Sequence, residues 1–271
     1  MKQNGRIYLN NNLDEQIKSN FIDLINIVKK LRSDEGCDWD KSQTESSLIP
    51  YFLEEIYELI DSIDKKDNEN LIEELGDVML HIIFQSQIAT EKEIFTINDI
   101  IDNINKKLIN RHPHVFENFS KSKIDNGKQN WEKQKHIEKG RSSRLDGVPN
   151  ILPSIIFSQR IQEKASLAGF DWDHVSNVWE KIDEEIDELK IAQKENDFNK
   201  IQDEIGDLLF TVINLSRFFN VSAENALRSS NKKFMKRFWL LEKKVFDSNK
   251  NIDDFSSSEL DEIWVEAKKI V

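Results

Sequence analysis

Two acidic clusters with the same internal spacing recur in this chain. Glu54-Glu55-x-x-Glu58 is followed, sixteen residues after Glu58, by Glu74-x-x-Asp77. Glu184-Glu185-x-x-Glu188 is followed at the same interval by Glu204-x-x-Asp207. Each second cluster reads Glu-(Leu/Ile)-Gly-Asp. One acidic run would mean little in a chain that is 32% charged, but two with identical spacing mark an internal duplication. Residues at i, i+3 and i+4 share a helical face, so Glu55 with Glu58, and Glu74 with Asp77, point together only on helices.

The rest of the chain agrees with helices. It holds eight Gly and four Pro, and no run of alternating β-branched residues. Apolar residues recur at helical spacing, as in Ile49, Phe52, Leu53, Ile56, Ile60 and Ile63. The expected fold is all-α, with two tandem helical bundles. A first unit spans 13–119, with helices at 13–33, 47–65, 69–92 and 97–111, the last stopped by Pro113. A polar connector covers 120–150, with one helical turn around Trp131. The second unit spans 151–271, with helices near 151–167, 175–195, 197–219, 222–247 and 257–270. The repeat reaches beyond the acids. Asp38-Trp39-Asp40 and Asp171-Trp172-Asp173 precede the clusters, and the basic pairs Lys107/Arg111 and Lys233/Arg237 follow them. A period of about 130 residues is far too long for a solenoid.

A net charge of −12 argues against a nucleic-acid duplex as partner, since phosphate backbones need stripes of Lys and Arg. A single cysteine, Cys37, points to a reducing compartment. No segment reads as a secretory signal or a membrane span, so the expected location is cytoplasmic.

The helix carrying Glu54, Glu58 and Asp61 reads by itself as an ordinary amphipathic helix with a solvated face. Its neighbour differs. Leu75, Val78, Met79, Leu80, Ile82, Ile83 and Phe84 surround Glu74, Asp77 and His81, and the second copy sets Glu204 and Asp207 among Ile205, Leu208, Leu209, Phe210, Val212 and Ile213. Such helices are expected to be buried, and a buried carboxylate is costly unless paired or metal-bound. Four or five carboxylates against two cations leave a negative excess that a divalent ion would offset. Gly76 and Gly206, each beside an acid, suggest close approach of a backbone or a phosphate, since glycine inside a helix costs about 1 kcal/mol.

The donor types narrow the chemistry. The five histidines lack zinc spacing, and one cysteine gives no thiolate set. No Glu-x-x-His occurs, which counts against a di-iron bundle, and no P-loop is present. All-oxygen sites favour Mg²⁺, with Mn²⁺ possible, and hard metals in helical enzymes suggest phosphate chemistry. Trp264 and Lys268, one turn apart, are placed either to pack or to clamp a base and a phosphate.

Together these motifs resemble the two-repeat MazG family of all-α nucleoside triphosphate pyrophosphohydrolases. The strings that carry the resemblance are Cys37–Thr44, Tyr51–Glu55, Glu73–Asp77, Arg111–Phe116, Ala168–Trp172 and Asn231–Phe234. The resemblance covers roughly residues 17–270. It implies a homodimer that uses Mg²⁺ to hydrolyse nucleoside triphosphates to monophosphates and pyrophosphate, in broad nucleotide-pool control. It also implies metal ligands Glu185, Glu188, Glu204 and Asp207, with Glu184 orienting water or an outer ligand. Lys233 and Arg237 would hold the triphosphate, and Trp264 the nucleotide. The matching first-unit set is Glu55, Glu58, Glu74, Asp77, Lys107 and Arg111. With no evident first-unit counterpart of the Trp264 helix, the second unit is expected to carry most of the activity. A diphosphatase restricted to dUTP or dCTP, or a non-catalytic nucleotide-binding module, are the alternatives.

Overall fold

The structure, a computed structural model, describes residues 11–116, 140 and 142–271. It divides into two compact units, Met1–Asp125 and Asn126–Val271. Every regular element among the described residues is helical. The helical turn expected around Trp131 lies outside the described residues.

The first unit contains α1 (Asn11–Leu31), α2 (Asp38–Ser42), α3 (Ile49–Lys65), α4 (Asn68–Glu91), α5 (Ile97–Arg111) and α6 (Pro113–Phe116). The four long helices fall where apolar periodicity places them. The two short ones were not expected, because four or five residues are too few to show a period. Pro113 does end α5, but it also opens α6, where a missing N–H costs nothing. The core gathers Val28, Leu48, Ile83, Phe84 and Ile88, with Phe21, Leu24, Ile25, Leu80 and Ile97 against it.

One buried charge pins this unit together. The Arg32 side chain is about 6% exposed and sits beside the Phe84 ring. Its Nε and Nη2 donate to the Glu91 carboxylate at 2.9 and 2.8 Å, and its Nη1 donates to the backbone oxygens of Asp40 and Gln43. The end of α1, the short α2 and the end of α4 are thus tied through one guanidinium.

The second unit contains α7 (Ser154–Leu167), α8 (Val175–Glu195), α9 (Phe198–Phe218), α10 (Ala223–Asp247), a 3₁₀ turn (Ile252–Asp254) and α11 (Ser257–Ile270). Val178, Ile182, Ile213, Leu241 and Val245 are its most buried apolar side chains of any size. Helix α9 packs against α8, α7 and α10, and α11 packs on α10.

The duplication is visible in the joints. Helix α3 ends at Lys66 and α8 at Asn196, both left-handed, with φ of 57° and 55°. The next residue, Asp67 or Asp197, caps the following helix by accepting from two backbone N–H groups. These tight joints fold α3 onto α4 and α8 onto α9 as antiparallel hairpins. Glu58 and Glu74 each lie eight residues from Lys66, as Glu188 and Glu204 do from Asn196. An antiparallel pair sets residues equidistant from the turn opposite one another, roughly 12 Å from it at 1.5 Å per residue. The joint therefore brings the carboxylates of consecutive helices together.

Two expectations are corrected. Helices α4 and α9 are not buried all round: Ile72, Leu75, Met79, Ile82, Ile205, Leu209 and Val212 are exposed. Each helix packs on its own unit from one side, which leaves an apolar flank outward. Nor does a neighbouring backbone crowd Gly76 or Gly206, since a Cβ built at either meets nothing within 4 Å.

Candidate active site

In the second unit, carboxylate oxygens of Glu185, Glu188 and Glu204 lie within 4.8 Å of one another. In the first unit the same holds for Glu55, Glu58 and Glu74. Neither trio includes the aspartate of its repeat. Asp77 acts on Glu55 through its charge, and Asp207 does the same to Glu204 from an exposed position on α9.

Desolvation first, then repulsion from neighbouring carboxylates, raises the affinity of Glu204, Glu55 and Glu74 for protons. Glu204 is pushed up by desolvation and by the charges of Glu188, Glu185 and Asp207. Glu55 is pushed up by desolvation and by Asp77, Glu58 and Glu74, and Glu74 by desolvation, Glu58, Glu73 and Asp77. Carboxylates that converge within one ion's reach form a set of hard oxygen donors that fits a divalent cation.

The two trios differ in their surroundings. Glu185 is only 3% exposed, and Lys181, one turn before it, reaches both Glu185 and Glu184 at 2.9 Å. Hydrogen bonds to Glu185 and then Glu184 push the Lys181 pKa well above its ordinary value. Tyr51 occupies the same place before Glu55, and it meets the ring of Trp39 edge-on at 5.9 Å. Trp172, of the matching Asp-Trp-Asp string, instead lines a cavity of about 600 Å³. That cavity is lined by Lys181, Glu185 and Asp207 together with the apolar side chains of Ile161, Phe170 and Phe210. Asp171 is fixed there by Arg217, whose Nη1 donates to it at 2.9 Å and whose Nη2 also donates to Asn214 Oδ1 at 2.8 Å. Burial opposes the Asp171 charge most strongly, but hydrogen bonds from Arg217, Ser166 and the Trp172 N–H, with the Arg217 charge, together outweigh it and hold the carboxyl below its ordinary range. The first-unit trio instead borders a depression walled by Glu54, Tyr57, Glu58, Asp61, Ser62, Asn70 and Glu74.

Both units match domains of known proteins. A MazG nucleotide pyrophosphohydrolase domain matches residues 43–116, and a phosphoribosyl-ATP pyrophosphohydrolase domain matches residues 155–234. A nucleoside triphosphate pyrophosphohydrolase/pyrophosphatase MazG of Thermotoga maritima is 46% identical over 250 residues, which are 92% of this chain and 95% of that protein. The chain belongs to the MazG family. A nucleoside triphosphate pyrophosphohydrolase of Escherichia coli K12 is 37% identical over 252 residues, 91% of this chain and 96% of its own length. Each unit of this MazG protein thus matches a pyrophosphohydrolase domain of its own.

The remaining expected site residues lie elsewhere. Lys107 is exposed and Arg111 half-buried on α5. Lys233 is exposed on α10, and Arg237 donates from Nε and Nη2 to the Val271 backbone oxygen at 3.2 and 2.8 Å. Trp264 packs on Phe234 with ring centroids 5.1 Å apart, and Lys268 is exposed on α11. None of Lys233, Arg237, Trp264 and Lys268 lines the cavity. Sequence reasoning missed Lys181, Gln162, Asn214 and Arg217. Lys181 was within reach, as a cation four residues before the buried acid; the others come to line the same cavity only through the packing of α7 and α9.

Proposed function

We propose that this chain hydrolyses nucleoside triphosphates to nucleoside monophosphates and pyrophosphate, with the second unit as the main catalytic one. The observation that carries the reading is the trio Glu185, Glu188 and Glu204, whose buried member Glu185 also lines, with Asp207, a cavity large enough for a nucleoside. Its relatives are named nucleoside triphosphate pyrophosphohydrolases and match nearly the whole chain.

Glu185, Glu188 and Glu204, with Asp207 beside them, would hold Mg²⁺ or Mn²⁺, the choice that oxygen donors favour. When bound, the divalent ion supplies positive charge against the phosphate oxygens and acidifies a water. The residues of the chain do the rest. Lys181 holds the buried Glu185 in place and offsets part of its charge. Glu184, exposed on the same helix, is proposed to orient water. Lys233 and Arg237 are assigned to the triphosphate, and Trp264 and Lys268 to the nucleotide. These four lie outside the cavity lining; Lys233, Arg237 and Trp264 are assigned by the family resemblance, and Lys268 by its place one turn from Trp264. In the first unit, Glu55, Glu58, Glu74 and Asp77, with Lys107 and Arg111, form the corresponding set.

We also infer a homodimer, since exposed apolar residues such as Ile205, Leu209 and Val212 gain by being covered. The direct test of the reaction is chromatography of a Mg²⁺-supplemented ATP or GTP reaction. Monophosphate and pyrophosphate are the expected first products. Diphosphate and orthophosphate would overturn the reading.

A further inference from the structure

One buried acceptor in the second unit has no donor among the described residues. Gln162, on α7, lines the cavity and is only 7% exposed. Its Nε2 donates to the Phe210 backbone oxygen of α9 at 2.8 Å. A carbonyl accepts only a donor, so this contact fixes the amide with nitrogen toward Phe210 and oxygen away from it. That Oε1 is withdrawn from solvent, and among the described residues nothing donates to it.

Neighbouring polar groups of the cavity wall are committed to one another. Thr211 Oγ1 donates to the Asp207 backbone oxygen, and Arg217 donates to Asp171 and Asn214. An acceptor left without a donor in a protein interior is rare and costly, and such groups are often completed by a ligand. The surrounding wall is flat-sided and apolar, formed by Ile161, Ala165, Phe170, Trp172 and Phe210. A heterocyclic ring suits such a wall, and its edge N–H suits the lone acceptor. Lys181 and Glu185, beside the carboxylate trio, line the same cavity.

We propose that Gln162 reads the nucleotide base, its Oε1 accepting a hydrogen bond from an N–H on the base edge. The inference rests on the proposed function above and adds a specificity-determining residue to it. The donor is either an exocyclic amine, as on adenine, or a ring imide N–H, as on uracil.

Two substrate pairs separate these donors. ATP is compared with purine riboside triphosphate, which lacks the amine. UTP is compared with 3-methyluridine triphosphate, which lacks the imide hydrogen. With the full-length protein and Mg²⁺, at least one pair should differ roughly tenfold or more in kcat/KM, the scale of one hydrogen bond made to a buried acceptor. In Gln162→Met that preference should fall toward parity, a change that a purely structural role would not produce. Thermal melting establishes that the variant folds. A folded variant that keeps the wild-type preference overturns the assignment. If the variant does not fold, the wild-type ratios decide alone, and parity in both pairs overturns it. Failure of the proposed reaction shows separately, as absence of pyrophosphate from every triphosphate. The same pairs are then compared by calorimetric binding, where parity again overturns the role of Gln162.

Discussion

Lys181 Nζ lies 2.9 Å from Glu185 Oε1, and Glu185 is the most buried acid of the second-unit trio. Its counterpart place in the first unit holds Tyr51, which has no charge to offer Glu55. Lys181→Met should leave Glu185 short of its nearest cation. Without metal, the variant should lose about 1–2 kcal/mol, less than a fully buried pair would, because Lys181 is about a third exposed. Thermal melting with chelator reads this. Turnover should fall as well, and an unchanged kcat would remove Lys181 from the site.

The same asymmetry predicts unequal units. Glu185→Ala should lower kcat/KM roughly a hundredfold or more, the usual scale for losing a group that stabilises developing charge. Glu55→Ala should cost far less, since its trio borders a depression walled mostly by acidic and polar side chains, which offer a base little apolar surface. Steady-state kinetics on one triphosphate decides. Equal losses would mean that the two sites share the work or depend on each other.

How much of this was legible in the sequence depended on the range of each interaction. Helix content and duplication were legible because they are periodic along the chain. The meeting of Glu58 with Glu74, and of Glu188 with Glu204, was legible in kind, since it needs only two helices and a joint. The capping aspartates Asp67 and Asp197 kept the repeat spacing too, and the pattern was there to be read. The exposure of α4 and α9 was not legible. Apolar residues around a helix tell that something covers it, without telling whether the cover belongs to the same chain. The Gln162 acceptor was also hidden, because its position depends on α7 lying across α9, 48 residues away.

A prediction away from the site concerns Arg32 and Glu91. The Arg32 hydrogen bonds hold the Glu91 carboxyl below its ordinary value of 4.5. A carboxylate with a depressed folded pKa adds stability above its unfolded pKa and loses it as pH falls through the folded one. Glu91→Gln should therefore destabilise the protein by about 2 kcal/mol near neutral pH, a figure reduced from that of a fully buried pair because Glu91 is partly in water. The gap between wild type and variant should stay level down to about pH 4.5 and close below it. Chemical denaturation across that range measures the gap, and one that persists in acid would show that Arg32 draws its support from the Asp40 and Gln43 carbonyls instead.

The last prediction separates metal binding from folding. Desolvation, then Glu188, Glu185 and Asp207, raise the Glu204 pKa in the folded protein. Between the ordinary carboxylate value and the raised one, the folded state holds more protons than the unfolded. Metal-free stability should therefore rise as pH falls through that window, and be lowest above it. Glu204→Gln removes the charge, so with chelator at neutral pH it should melt no lower than wild type, and its advantage should shrink as the pH falls toward the ordinary value. Mg²⁺ acts in the opposite sense, because it binds the ionised, folded trio. At a hundredfold excess over its dissociation constant it should add about 2.7 kcal/mol to wild type. In Glu204→Gln most of that gain should vanish along with turnover. Melting curves with chelator and with Mg²⁺, taken from neutral pH into the carboxylate range, test both halves. A variant that keeps the full Mg²⁺ shift would exclude Glu204 from the ligands and return the trio to an ordinary solvated acidic face.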